Sequence, residues 1–159
     1  MNRLVVALAL FAASISSVAL AQTPAPSSKK LCGSDVATYL AAAQKGDGDA
    51  MFCMGVKHSN SGTEVTRDDV QATRWFMKAA DAGHPGGMFF TGVAFWSGRG
   101  ISQDTVEAYK WLDLSAKLGS QSAITARDGL TRVLSPQNIG EAQQRAADWE
   151  KGFQKRKKS

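Results

Sequence analysis

Apolar residues in the middle of this chain recur with a helical period. Between residues 68 and 82, Ala72, Trp75, Phe76, Ala79 and Ala80 fall at i, i+3, i+4, i+7 and i+8, one stripe of an α-helix. Ala108, Trp111, Leu112, Ser115 and Ala116 draw the same stripe at an offset of 36. Asp68 then falls on Asp104 and Gly83 on Gly119. The preceding segments match at an offset of 37, residues 46–52 against 83–89 and Gly55 against Gly92. The one-residue slip sits in the loop before Asp68, where insertions are tolerated, so it supports an internal repeat.

Each repeat reads as two helices. The second of each pair starts at an N-cap aspartate, Asp68 or Asp104, with Gln71 or Glu107 three residues on and able to bond back. Each stops at a glycine, Gly83 or Gly119. The first helices span 50 to about 59 and 87 to about 96, with Gly55 and Gly92 inside them. A helix-interior glycine costs about 1 kcal/mol against alanine. Its recurrence at one position predicts close approach of the partner helix. Trp75 and Trp111 are expected in the core.

Residues 35–45, closed by Gly46, look like the second helix of an incomplete earlier repeat. Residues 122–134 place Ala123, Ala126, Leu130 and Val133 on one face without the repeat's tryptophan. Ser135 and Pro136 start a last helix with Ile139, Ala142, Ala146, Trp149 and Phe153 on one side. An apolar inner face and a polar outer face suit an end cap for stacked repeats.

These residues resemble the Sel-one-like repeat family, a relative of tetratricopeptide repeats. The second repeat supplies Gly87, Gly92, Phe95, Gly98, Gly100, Ile101, Asp104, Ala108, Trp111, Ser115, Ala116 and Gly119. The first is looser, with His58 in the aromatic position and Gly62 and Val65 in a respaced loop. The expected fold is all-α, a short right-handed alpha-alpha superhelix (a TPR-like solenoid) with a C-terminal capping helix. The resemblance implies a protein- or peptide-binding module.

Charge and composition refine this picture. With 43% hydrophobic residues in 159, the chain has material for one core. Its formal charge of +5 would suggest a nucleic-acid binder. Yet all 14 acidic residues and only eleven of the 19 basic ones lie in residues 31–150, leaving that stretch at −3. The basicity belongs to the ends, and no nucleic-acid partner is expected. At the N-terminus, Arg3 precedes an apolar run over residues 4–13 and a small-x-small site at Ala19-Leu20-Ala21. That pattern predicts a signal peptide over residues 1–21, because the unbroken run is too short for a span of roughly 20 residues. The mature chain is then periplasmic or secreted and not stably membrane-inserted. Residues 22–30, rich in proline, serine and lysine, read as a flexible leader. Residues 31–154 form the repeat domain, with repeats near 50–85 and 87–122, and residues 155–159 a basic tail.

Two cysteines in an exported chain favour a disulfide between Cys32 and Cys53. Two unpaired thiols or intermolecular pairing are the alternatives. Antiparallel helices would hold the pair roughly 10 Å apart along the axis, beyond the ~7 Å limit, unless residues 31–36 fold back. The family resemblance adds that secreted members often carry inter-helix disulfides. His58 and His84 have no partner at zinc-type spacing, so neither metal nor cofactor is expected. Gly98-Arg99-Gly100 reads as a turn between helices, not a phosphate cradle. Ser27 and Lys30 have acyl-enzyme spacing but neither companion motif.

First helices of such repeats line the concave side of the superhelix. Met51, Phe52, Met88, Phe89, Phe90 and Trp96 supply more large apolar residues there than one stripe needs. Met51, Phe52, Met88, Phe89 and Trp96 are therefore the candidate binding residues. The expected function is an exported scaffold for a protein or peptide of the cell envelope, and not an enzyme. Two alternatives remain: a penicillin-binding or β-lactamase-like enzyme, as linked to some cysteine-rich secreted relatives, or envelope attachment through the basic tail.

Overall fold

Each helix begins where a short acceptor side chain takes up free backbone N–H groups. Asp35 accepts from Thr38 at the start of α1 (Val36–Gln44), and Asp47 from Ala50 at the start of α2 (Gly48–Ser59). Asp68 and Asp104 each accept from two N–H groups, opening α3 (Asp69–Asp81) and α5 (Thr105–Lys117). His84 caps α4 (Pro85–Ser97) through Nδ1, which accepts from the Gly87 N–H at 3.0 Å. Ser120 caps α6 (Gln121–Thr131), and Ser135 Oγ accepts from Asn138 N–H at the start of α7 (Pro136–Lys158). The expected back-bond from Glu107 is replaced: its carboxylate pairs with Lys110 and Arg145.

This computed structural model describes residues 32–33, 35–60 and 64–158. The expected signal and leader, residues 1–21 and 22–30, lie outside them. Among the described residues the structure is helical throughout, without strand. Successive helices pack in antiparallel order from α1 to α6, and α7 folds back along α5. The architecture is the all-α repeat solenoid with a C-terminal capping helix that the periodicity predicts. At the helix ends, Gly83 and Gly119 take φ of +89° and +87°. L side chains rarely enter that region, which is why both repeats stop there.

Three apolar clusters fill the interior. One joins Phe52, Cys53, Ala72, Phe76 and Ala79. A second joins Ala80, Met88, Trp111, Leu114 and Ala146, and a third Ala108, Tyr109, Leu112, Ala123, Leu130 and Ala142. The repeated glycines sit where helices touch. A Cβ on Gly55 would lie 2.5 Å from the Phe76 ring, and one on Gly92 2.7 Å from Leu112 Cγ. The tryptophans, equivalent in sequence, differ in surroundings. Trp111 is buried beneath α7, whose Trp149 meets it edge-on at 5.6 Å. Trp75 is only half-buried, with Lys78 Nζ 4.2 Å from its ring centroid, so its expected core position is corrected. The reason is that α7 covers α5 and leaves the matching face of α3 open.

Cys32 and Cys53 form a disulfide, with Cα atoms 5.2 Å apart. The chain ahead of Asp35 folds back onto α2, where Cys32 and Tyr39 pack on the Phe52 cluster. That fold-back removes the axial separation expected of straight antiparallel helices. Lys155, Arg156, Lys157 and Lys158, within the expected basic tail, form the last turn of α7.

Candidate groove on the first-helix face

Helix α4 is apolar nearly all round, and its two faces do different work. Met88, Thr91, Gly92 and Phe95, at i, i+3, i+4 and i+7, turn inward onto the second helices. Phe90, Val93 and Ser97 lie on the opposite side and, with Trp96 on the flank, line two depressions that share Val93. One, of about 280 Å³, has walls of Trp96, Ala126, Leu130 and Val133. The other, of about 220 Å³, lies between α2, α3 and α4 over Phe76 and Ala72.

Packing and hydrogen bonds hold the walls. Phe90 stacks on Phe76 at 4.8 Å between centroids and meets Phe89 edge-on at 5.2 Å, so its partly exposed ring is fixed. The Gln103 amide donates to the Trp96 carbonyl at 2.7 Å, closing the end of α4. The α6 wall is tied to α5 by Arg127, which reaches Asp128 at 2.9 Å and the buried Asp113 at 3.4 Å. Hydrogen bonding to Asp128, then the charge of Asp128 and the contact with Asp113, outweigh burial and raise the Arg127 pKa above its ordinary value.

Polar groups at the rim are engaged as well. The Thr73 hydroxyl donates to the Arg99 carbonyl and the Asn60 amide to the Val56 carbonyl. Arg67 pairs with Asp69, and Lys57 with Glu64. Such a surface can take up apolar side chains. Among the described residues, no group of His, Cys, Asp and Glu is arranged to hold a metal ion.

Of the five candidate binding residues, Trp96 lies in the groove, 42% exposed. Phe52 and Met88 do not: they are 6% and 1% exposed, inside the core, and the expectation that they face a ligand is corrected. Both lie on the inward stripe of their helices, where the second helices need large side chains. Met51 and Phe89 are partly buried against core clusters and line neither depression. Sequence reasoning missed Val93 and Val133, the latter 67% exposed. The signal for Val93 was available, as residues 90, 93 and 97 are the helical complement of the inward stripe on α4, and Val133 shares a helical face with Ala126 and Leu130.

Comparison with known proteins agrees with this architecture. A family model described as the Sel1 repeat matches residues 48–84 and 85–120. Among curated proteins none matches the sequence. Among solved structures, the chain is similar to a protective antigen present in uropathogenic Escherichia coli strains, which displays an SLR fold. The TM-score is 0.69 at 24% identity, over 74% of this chain and 25% of that one. The chain thus spans about a quarter of that antigen's length, and the likeness is one of fold. Helix pairs in register with the sequence repeat, ending at Gly83 and Gly119, agree with two Sel1 repeats over residues 48–84 and 85–120.

Proposed function

We propose that this protein is an exported scaffold that grips an apolar segment of a partner protein on the first-helix face. Sel1-like repeats typically mediate protein–protein interaction and are generally non-catalytic. The observation that carries the reading is the pair of depressions sharing Val93, flanked by the partly exposed Phe90, Trp96 and Val133. Each holds about the volume of one or two large side chains, and a fixed aromatic rim loses little entropy on binding. Export is supported by the Cys32–Cys53 disulfide, which persists in oxidising compartments. The apolar run after Arg3 supports it too.

The test is capture from envelope extract with the wild-type chain and with a Trp96→Ala, Val133→Ala variant. Both residues are exposed enough to be replaced without unfolding the protein. A partner retained by the wild type should be lost by the variant, with truncation of a buried anchor costing roughly 2 kcal/mol, about thirtyfold in affinity. Equal retention would remove the groove from the interaction. Hydrolysis of a β-lactam by the purified chain, well above the rate in buffer, would overturn the scaffold reading itself.

A further inference from the structure

A second surface lies at the other side of the molecule, where α7 ends beside the end of α5. Lys155, Arg156, Lys157 and Lys158 follow one another in the last turn, with Lys151 one turn earlier. The acidic residues of α7 are already engaged: Glu141 by Arg145, Asp148 by Gln144 and Glu150 by Lys117. Among the described residues no carboxylate lies within ion-pair distance of Lys155, Lys157 or Lys158. Cations at a helix C-terminus are favoured by the helix dipole. That accounts for positive charge there, but not for what lies next to it.

Beside Lys157 is a cavity of about 520 Å³ between α5, α7 and the α3–α4 turn, lined by apolar and polar side chains alike, the Lys117–Glu150 pair among them. Leu114, Leu118, Trp149 and Phe153 line it, and Lys157 stands at its edge with Nζ 5.1 Å from the Phe153 ring centroid. Leu118 is 54% exposed, an isolated large apolar side chain at the end of a helix. Gly83 leaves room for Phe153, since a Cβ there would sit 2.5 Å from its Cζ. An exposed leucine, two half-buried aromatic rings and Lys157 therefore meet at this cavity, with Lys155 and Lys158 on the same helix end.

We propose that this end of the molecule docks on an anionic lipid surface. The cations face the headgroups while Leu118 enters the boundary between headgroup and acyl chain. Each Lys or Arg held near such a surface adds attraction, and a buried apolar side chain adds a contribution that salt does not screen. Duplex nucleic acid would use the cations but has no use for an exposed leucine beside them. The contact is peripheral, as no helix of the described residues is long and apolar enough to cross a membrane.

The experiment is co-sedimentation of the full chain with vesicles of phosphatidylcholine alone, or of phosphatidylcholine and phosphatidylglycerol in equal amounts. It is repeated with a variant carrying Lys155→Gln, Arg156→Gln, Lys157→Gln and Lys158→Gln, and with Leu118→Ser. All three proteins share one N-terminus, so differences between them report on this surface alone. The wild type should prefer the anionic vesicles and the quadruple variant should bind them at least about tenfold more weakly. Leu118→Ser should lower binding that survives raised salt. Equal binding to both vesicle types, an unchanged quadruple variant, or preference for duplex DNA over the anionic vesicles would overturn the proposal. Because the groove around Val93 is untouched by these changes, its own test is independent.

Discussion

His84 ties two helices together through three contacts of one ring. Its Nδ1 caps α4, its face stacks on Phe52 of α2 at 4.5 Å, and its Nε2 lies 3.3 Å from Asp49. The cap fixes the tautomer: Nδ1 must accept, so Nε2 carries the proton and donates to Asp49. Burial lowers the His84 pKa below the ordinary imidazole value, outweighing the opposite pull of Asp49 and then Asp47. A histidine with a lowered folded pKa binds fewer protons folded than unfolded. Its stabilising contribution is thus complete above about pH 6.5 and is lost as the pH falls through the lower folded value. Urea midpoints recorded from neutral to mildly acidic pH should fall in that window. His84→Asn, which can still cap but does not titrate, should flatten the fall; an equal slope in both proteins would remove His84 as its cause.

At Gly92 the added Cβ of an alanine would press on Leu112 Cγ at 2.7 Å and the Ala108 carbonyl at 3.1 Å. At Gly129 it would meet nothing within 4 Å. Gly92→Ala should therefore lose about 1–3 kcal/mol through overpacking. Gly129→Ala should gain roughly 0.5–1 kcal/mol from helix propensity. Matched urea melts compare the two, and a Gly92→Ala midpoint at or above wild type would refute the close-approach argument.

Among the elements, α1 is the shortest helix and has only one residue, Ala43, fully buried. Two ties outside its own packing hold it. Glu64 accepts from the Val36 N–H at 3.0 Å, and the disulfide joins the chain before Asp35 to α2 across 21 residues. A loop of that size restricts the unfolded chain enough for a contribution of about 2–4 kcal/mol. Cys32→Ser, at the half-buried partner, should lower stability by that amount, and reductant should do the same to the wild type while leaving the variant unchanged. A wild-type melt insensitive to reductant would mean that the bond contributes nothing measurable.

On the scale of the molecule, α7 makes the two repeats one folding unit. It packs along α5, yet its Trp149 indole N–H reaches Asp81 of α3 at 3.3 Å and Phe153 seats against Gly83. Trp149 also covers Trp111 and stacks on Phe153 at 4.8 Å. Repeats contact only their neighbours, so an end cap that reaches back over both should enforce cooperative unfolding. Trp149→Ala should lower stability by about 2–3 kcal/mol, less than for a fully buried tryptophan, and shift Trp111 emission to the red. An unchanged spectrum would mean that Trp111 is shielded by something other than the cap.

The helical period, the capping aspartates and the stop glycines are local signals, written within a few residues of where they act. For that reason the sequence alone determined the helix pairs, the repeat and the capping helix at Pro136. Packing partners are not local. Trp75 and Trp111 occupy the same repeat position, and only the return of α7 over α5 buried one and left the other under Lys78. Met88 and Trp96 are both large apolar residues of α4, and nothing in their identity says which faces a neighbour. The tertiary structure decided that, through the second helices that enclose Met88 and the space between α4 and α6 that leaves Trp96 open. It likewise decided the disulfide, since the fold-back before Asp35 depends on a face of α2 that the local sequence does not contain.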